Sequence, residues 1–120
     1  MTGRILVVDD DKETTNIFRL ALTKLGYDAT ITGDVPSALA AIDKHIPDVI
    51  LLDIMLPGRL GLDVLAHVRS TPELEHVFVV IISAHQMGEY NLPTGVLPDA
   101  VLRKPIRLPD LRRVLAKALA

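Results

Sequence analysis

Asp48-Val49-Ile50-Leu51-Leu52-Asp53-Ile54-Met55-Leu56-Pro57-Gly58 is the stretch around which this chain is organised. It reads as a buried apolar strand, Val49 to Asp53, that begins after Pro47 and empties into a Pro-Gly turn. The strand ends on a carboxylate. An Asp inside an apolar run must be solvated, paired or bound to a metal, because burying its charge alone is costly. Two distant stretches offer partners. One is Asp9-Asp10-Asp11, after the run Ile5 to Val8, and the other is Lys104-Pro105 near the C-terminus.

Length and composition set the frame. A chain of 120 residues predicts one domain, residues 1–120, with a single real core. It is 49% hydrophobic and 23% charged, as suits a globular domain in water. With no Cys, a disulfide framework and a thiolate metal site are both excluded. The net charge is -2 and no Lys/Arg block is present, so direct nucleic-acid binding is not supported. Met1 to Arg4 leads into a strand of only four apolar residues, too short for a signal peptide or a membrane span. The chain is read as cytoplasmic, with no membrane contact.

Outward from the central strand, apolar runs and helical patterns alternate. Ile5 to Val8 is a β-branched run of the kind covered on both faces. Asp11 is placed to cap a helix carrying Phe18, Ala21, Leu22 and Leu25, which Gly26 closes. Tyr27 to Thr32 is more polar and reads as an edge strand. Asp34 caps a second helix with Pro36 in its first turn, and a third helix spans about Gly61 to Arg69. Val77 to Ile82 is the strongest strand, terminated by Ser83 and Ala84. Gln86 to Asp99 holds Gly88, Pro93, Gly95 and Pro98, so an irregular or single-turn segment is expected there. Ala100 to Arg103 is a short last strand, followed by an amphipathic helix from Leu108 to Leu119 with Arg112, Arg113 and Lys117 facing out. This alternation predicts an α/β fold: one open, doubly wound, five-stranded parallel sheet with helices on both faces.

In such sheets, ligands bind beyond the carboxyl ends of the strands, at the point where strand order reverses. Asp9, Asp10, Asp53, Ser83 and Lys104 all fall at carboxyl ends of strands. Clustered carboxylates repel, so the pKa of at least one rises unless a cation neutralises it. A hard divalent ion with oxygen ligands answers that need, and Mg²⁺ suits a shallow, partly hydrated site. Ser83 offers a hydroxyl and Lys104 a point charge for a phosphoryl oxygen. An Asp in that company can attack phosphorus and form an aspartyl phosphate. The bland readings are a capping acidic turn, a strand-end Ser and a solvated Lys. A cap, however, needs one Asp rather than three. His45, His67 and His76 are scattered, read as surface residues, and have no zinc-ligand spacing.

Four motifs in order carry a resemblance over the whole chain: Asp9-Asp10, Asp53 with Pro57 four residues on, Ser83-Ala84, and Lys104-Pro105. Together they resemble the receiver domain of two-component response regulators. The resemblance implies a flavodoxin-like sheet of order 2-1-3-4-5, like the chemotaxis regulators. It implies Asp53 as phosphoacceptor, Ser83 and Lys104 on the phosphoryl group, and Mg²⁺ held by Asp9, Asp10, Asp53 and the backbone carbonyl of Met55. A cis Lys104-Pro105 bond is also implied. The partners implied are a sensor histidine kinase or phosphotransfer protein, and an output partner protein or fused effector domain. The domain would be a phosphoprotein switch rather than a turnover enzyme.

Two departures stand out. Val101 occupies the place of the aromatic residue that many receivers use in activation, and the segment 86–99 replaces a regular fourth helix. Met55 and His85 flank the expected path of attacking water. The rival readings are a receiver-like interaction module that is not phosphorylated, a small aspartate-nucleophile phosphohydrolase, and a flavodoxin-like nucleotide binder. The phosphohydrolase normally carries a second Asp two residues after the nucleophile, where this chain has Met55. The nucleotide binder needs a phosphate loop rich in Gly or Ser/Thr, which is missing.

Overall fold

The apolar runs pair into one parallel sheet. The computed structural model describes residues 3–56, 61–84 and 96–119, together with the backbone of 59–60. Five strands form the sheet: β1 (Arg4–Val8), β2 (Asp28–Thr32), β3 (Val49–Asp53), β4 (Phe78–Ser83) and β5 (Ala100–Arg103). Their order is β2-β1-β3-β4-β5, all neighbours parallel, which is the 2-1-3-4-5 arrangement expected. Among the described residues the helices are α1 (Lys12–Lys24), α2 (Val35–Lys44), α3 (Leu62–Ser70) and α4 (Leu108–Ala118), with a 3₁₀ turn at Pro72–Leu74.

β3 is buried at every residue, and the side chains of the inner strands alternate between two cores. Leu6, Val8, Ile50, Leu52, Val79 and Ile81 face α2 and α3. Ile5, Val7, Val49, Leu51, Val80 and Ile82 face α1 and α4. Each such side chain contributes about 1.5–3 kcal/mol through burial. Both faces of the inner strands are therefore apolar, and only their ends are free to carry chemistry. β2 and β5 are the edges, and both alternate with exposed positions.

Local signals set the helix ends. Gly26 adopts φ 87°, and the N–H groups of Gly26 and Tyr27 return to the carbonyls of Thr23 (3.1 Å) and Leu22 (2.9 Å). This left-handed closure needs a residue without a Cβ penalty. Asp34 Oδ1 accepts the Ser37 N–H at 2.8 Å and caps α2. Asp11 stands at the N-cap of α1, and its carboxylate accepts the Thr14 hydroxyl at 2.5 Å.

The bounds of β4 move and one short ladder is added. β4 runs from Phe78 to Ser83, because Ser83 still pairs with β5 through Arg103 and its carbonyl accepts the Lys104 N–H. Met55–Leu56 and Arg59–Leu60 form a short antiparallel ladder that apolar periodicity could not reveal. The expected irregular segment falls mostly on 85–95, outside the described residues; 96–99 carry no helix. The Lys104-Pro105 bond is cis.

Because β1 lies between β2 and β3, the chain winds first one way and then the other. That reversal opens a crevice beyond the carboxyl ends of β1 and β3.

Candidate functional site

Asp9 follows β1 and Asp53 is the last residue of β3, on adjacent strands at the reversal. Both are buried, whereas Asp10 is exposed. Carboxylate oxygens of Asp9, Asp10 and Asp53 lie within 4.8 Å of one another. Lys104, delivered by the end of β5, sets its Nζ 3.1 Å from Asp53 Oδ2 and 3.2 Å from Asp9 Oδ2. Ser83, at the end of β4, is also buried. The structure thus brings all five of these predicted residues to the carboxyl edge of one sheet. Met55 is adjacent through the chain, and its side chain points outward, exposed.

Each inner carboxylate is held at two points. Asp9 Oδ1 accepts the Asp11 N–H at 2.9 Å, and Asp53 Oδ1 accepts the Met55 N–H at 3.0 Å. The second oxygen of each turns to Lys104. For Asp53 this is a hydrogen bond. Asp9 Oδ2 is buried and faces the ammonium outside hydrogen-bonding geometry, so it has charge nearby but no hydrogen bond.

Electrostatics follow from this crowding. Burial pushes the Asp9 carboxyl above its ordinary value, and the Asp53 charge adds to the rise. The Asp11 N–H and Lys104 oppose it. For Lys104, burial works against the charged form, but the hydrogen bond to Asp53 and the charges of Asp53 and Asp9 outweigh it and raise its pKa. Three convergent carboxylates, one with a buried oxygen lacking a hydrogen bond, form an all-oxygen donor set that fits a hard divalent cation. Among the described residues no histidine joins this cluster. His45 and His76 are exposed and His67 is partly exposed, in keeping with the surface reading. His85 lies outside the described residues.

Gly61 belongs to the site, although its sequence position suggested only the start of a helix. Its N–H donates to the Ile54 carbonyl at 2.6 Å, and a Cβ built on it would run into the Asp53 carbonyl oxygen. Its φ is -59°, so the requirement is for space rather than for a left-handed backbone. No local sequence signal marks a contact of that kind.

Comparison with known proteins agrees with this geometry. The chain belongs to the response regulator receiver domain family, which matches residues 5–116. It is 39% identical over 84 residues to Response regulator PleD of Caulobacter vibrioides, covering 70% of this chain and 18% of that protein. It is 44% identical over 112 residues to Transcriptional regulatory protein TrcR of Mycobacterium tuberculosis, covering 90% of this chain and 42% of that protein. The chain therefore spans less than half the length of these curated relatives. The receiver domain of sensor histidine kinase PA1611 from Pseudomonas aeruginosa PAO1, a structure with a magnesium ion coordinated in the active site cleft, shares the fold. Its TM-score is 0.87 at 24% identity, over 99% of this chain and 98% of that one.

Gly61→Ala should cost about 1–3 kcal/mol in urea unfolding through overpacking, and it should displace the end of β3. The metal-free protein should also lose stability as pH rises from 3.8 through the raised Asp9 pKa, because the folded state prefers the protonated acid. Asp11 and Asp34 are shifted down instead, so their stabilisation is complete above their ordinary value and does not mask this trend. Urea midpoints from about pH 4 to about pH 7 in chelator should decline for wild type. Asp9→Asn should be flat over that range and more stable at its upper end.

Proposed function

We propose that this chain, residues 1–120, is a single receiver domain that works as a phosphoacceptor switch, with Asp53 as the acceptor. The observation that carries the reading is the meeting of Asp9, Asp53 and Lys104 within hydrogen-bond and ion-pair reach at the strand reversal. Asp53 is anchored at one oxygen by the Met55 N–H, and its carboxylate attacks the phosphorus of a donor phosphohistidine. A P–O bond forms, the P–N bond breaks, and the imidazole leaves with the electron pair. Lys104 then meets the charge of the phosphoryl oxygens, and the Ser83 hydroxyl serves as a further donor. Mg²⁺ would be held by Asp9, Asp10, Asp53 and the Met55 carbonyl, where it would neutralise the charge that accumulates around phosphorus. Hydrolysis of the aspartyl phosphate returns the switch to rest. The domain assists its own phosphorylation and dephosphorylation and turns over no metabolite.

The phosphodonor is a sensor histidine kinase or phosphotransfer protein, and the output is a partner protein or a fused effector domain. The domain is cytoplasmic; among the described residues no helix is long and apolar enough to cross a membrane. A surface suited to the donor lies next to Lys104. There Ile17 (54% exposed) and Leu20 (73%) of α1 border an apolar groove of about 290 Å³, completed by Ile106, Leu108 and Leu111. A second hollow, lined by Thr14, Phe18, Lys104 and Pro105, continues it toward the carboxylates.

Intact mass after incubation with a small acyl phosphate tests the chemistry. Wild type should gain one phosphoryl group only with Mg²⁺, and Asp53→Asn should gain none. No gain in a protein shown to bind Mg²⁺ would instead favour an interaction module that is not phosphorylated. Leu20→Glu should slow transfer from a histidine kinase and leave labelling by the small donor unchanged. Equal slowing of both would remove the groove from the account.

A further inference from the structure

β5 carries Lys104, yet it is the least secured strand of the sheet. It has four residues, pairs with β4 alone, and exposes Val101 (40%) and Arg103. Ala100 and Leu102 face the core shared by α1 and α4. A slip of one residue along β4 would turn those two outward and is rejected by burial. A slip of two residues keeps the facing and lets every backbone ladder bond re-form. It would nonetheless carry Lys104 roughly 6.6 Å along the strand axis, breaking its contacts with Asp53 and Asp9. Something beyond the apolar pattern must therefore exclude it.

The amino end of β5 holds a contact that exists in only one register. The Asp99 N–H donates to the Val79 carbonyl at 2.8 Å, and Asp99 Oδ2 accepts the Val79 N–H at 2.8 Å. The carboxylate thus takes the place of a strand carbonyl opposite β4. Arg69 of α3, 17% exposed, locks that carboxylate: Nη2 donates to Asp99 Oδ2 at 2.7 Å. The same guanidinium donates through Nε to the Leu97 carbonyl (2.9 Å) and through Nη1 to the Val77 carbonyl (3.3 Å). One planar fork therefore joins α3, the approach to β4 and the approach to β5. A guanidinium can span three such acceptors in fixed geometry, and an ammonium cannot.

We infer that Arg69 and Asp99 are positioning residues. Their clasp at the amino ends of β4 and β5 sets the register that delivers Lys104 to Asp53 at the opposite edge. The inference rests on the proposed role of Lys104 at the phosphoryl group.

The test compares wild type, Asp99→Ala, Asp99→Asn, Arg69→Lys and Lys104→Ala in the full chain. Three quantities are read: Mg²⁺ affinity, beryllofluoride affinity, and hydrogen exchange at the Lys104 amide, which is bonded to the Ser83 carbonyl. Beryllofluoride stands in for the phosphoryl group. Asp99→Ala should weaken beryllofluoride binding on the order of tenfold to a hundredfold, as Lys104→Ala does, because a shift of an ångström at a reacting group has effects of that size. Mg²⁺ affinity should hold or rise, since the Lys104 ammonium then competes less for the carboxylates, and the Lys104 amide should lose protection. Asp99→Asn keeps an acceptor for the Val79 N–H and should retain most binding, with Arg69→Lys intermediate. If Asp99→Ala does not fold, Arg69→Lys carries the same comparison. Unchanged beryllofluoride affinity and protection, or parallel loss of Mg²⁺ and beryllofluoride binding, would overturn the inference. If wild type itself binds no beryllofluoride, the switch reading fails, and exchange at the Lys104 amide still decides the register.

Discussion

The carboxyl edge of the sheet turns on the closeness of Asp9 and Asp53 and on the Lys104 ammonium that faces both. Two carboxylates at the ends of adjacent buried strands cannot move apart, because β1 and β3 are fixed by apolar side chains on both faces. Nor can they readily escape into water, since both are largely covered. Burial first, and then the neighbouring Asp53 charge, push the Asp9 carboxyl above its ordinary value. The sheet fixes both charges at its carboxyl edge. It holds them in a state that a cation relieves, and a site prepared in this way has little left to reorganise when a charged ligand arrives.

The rigidity of the acceptor and the looseness of the cation come from different parts of the sheet. Asp53 ends a strand buried at all five residues, with Gly61 pressed against its carbonyl and the Met55 N–H on its carboxylate. Lys104 ends a half-exposed edge strand and reaches across the crevice on a flexible stem. The Asp53 carboxylate is therefore placed by close packing, and the Lys104 ammonium is placed by an edge strand.

Much of this was legible in the residues themselves, and the reason is that the signals were local. Unbroken β-branched runs marked the buried strands, Gly26 and Asp34 marked helix ends, and carboxylates directly after apolar runs marked the functional edge. The illegible features were contacts between segments far apart in the chain. The need for a bare Gly61 comes from the close approach of Asp53, which no periodicity encodes. Arg69 and Asp99 are 30 residues apart, and each taken alone reads as a solvated charge.

The same geometry explains how a change at one atom can reach the protein surface. Lys104 is bonded at both ends of its residue: its Nζ to Asp53, and its backbone N–H to the Ser83 carbonyl. A change in the charge carried by Asp53 alters the pull on Nζ, and that pull acts on β5 and β4 together. The inner strands are close-packed on both faces and resist such a force, whereas β5 has one neighbour and an exposed outer row. β5 is thus the strand best placed to yield, and Val101 and Arg103 face outward from it. An aromatic side chain at position 101 would move a large surface with the strand, whereas Val101 moves a small one. Val101 therefore gives β5 only a small outward-facing apolar side chain.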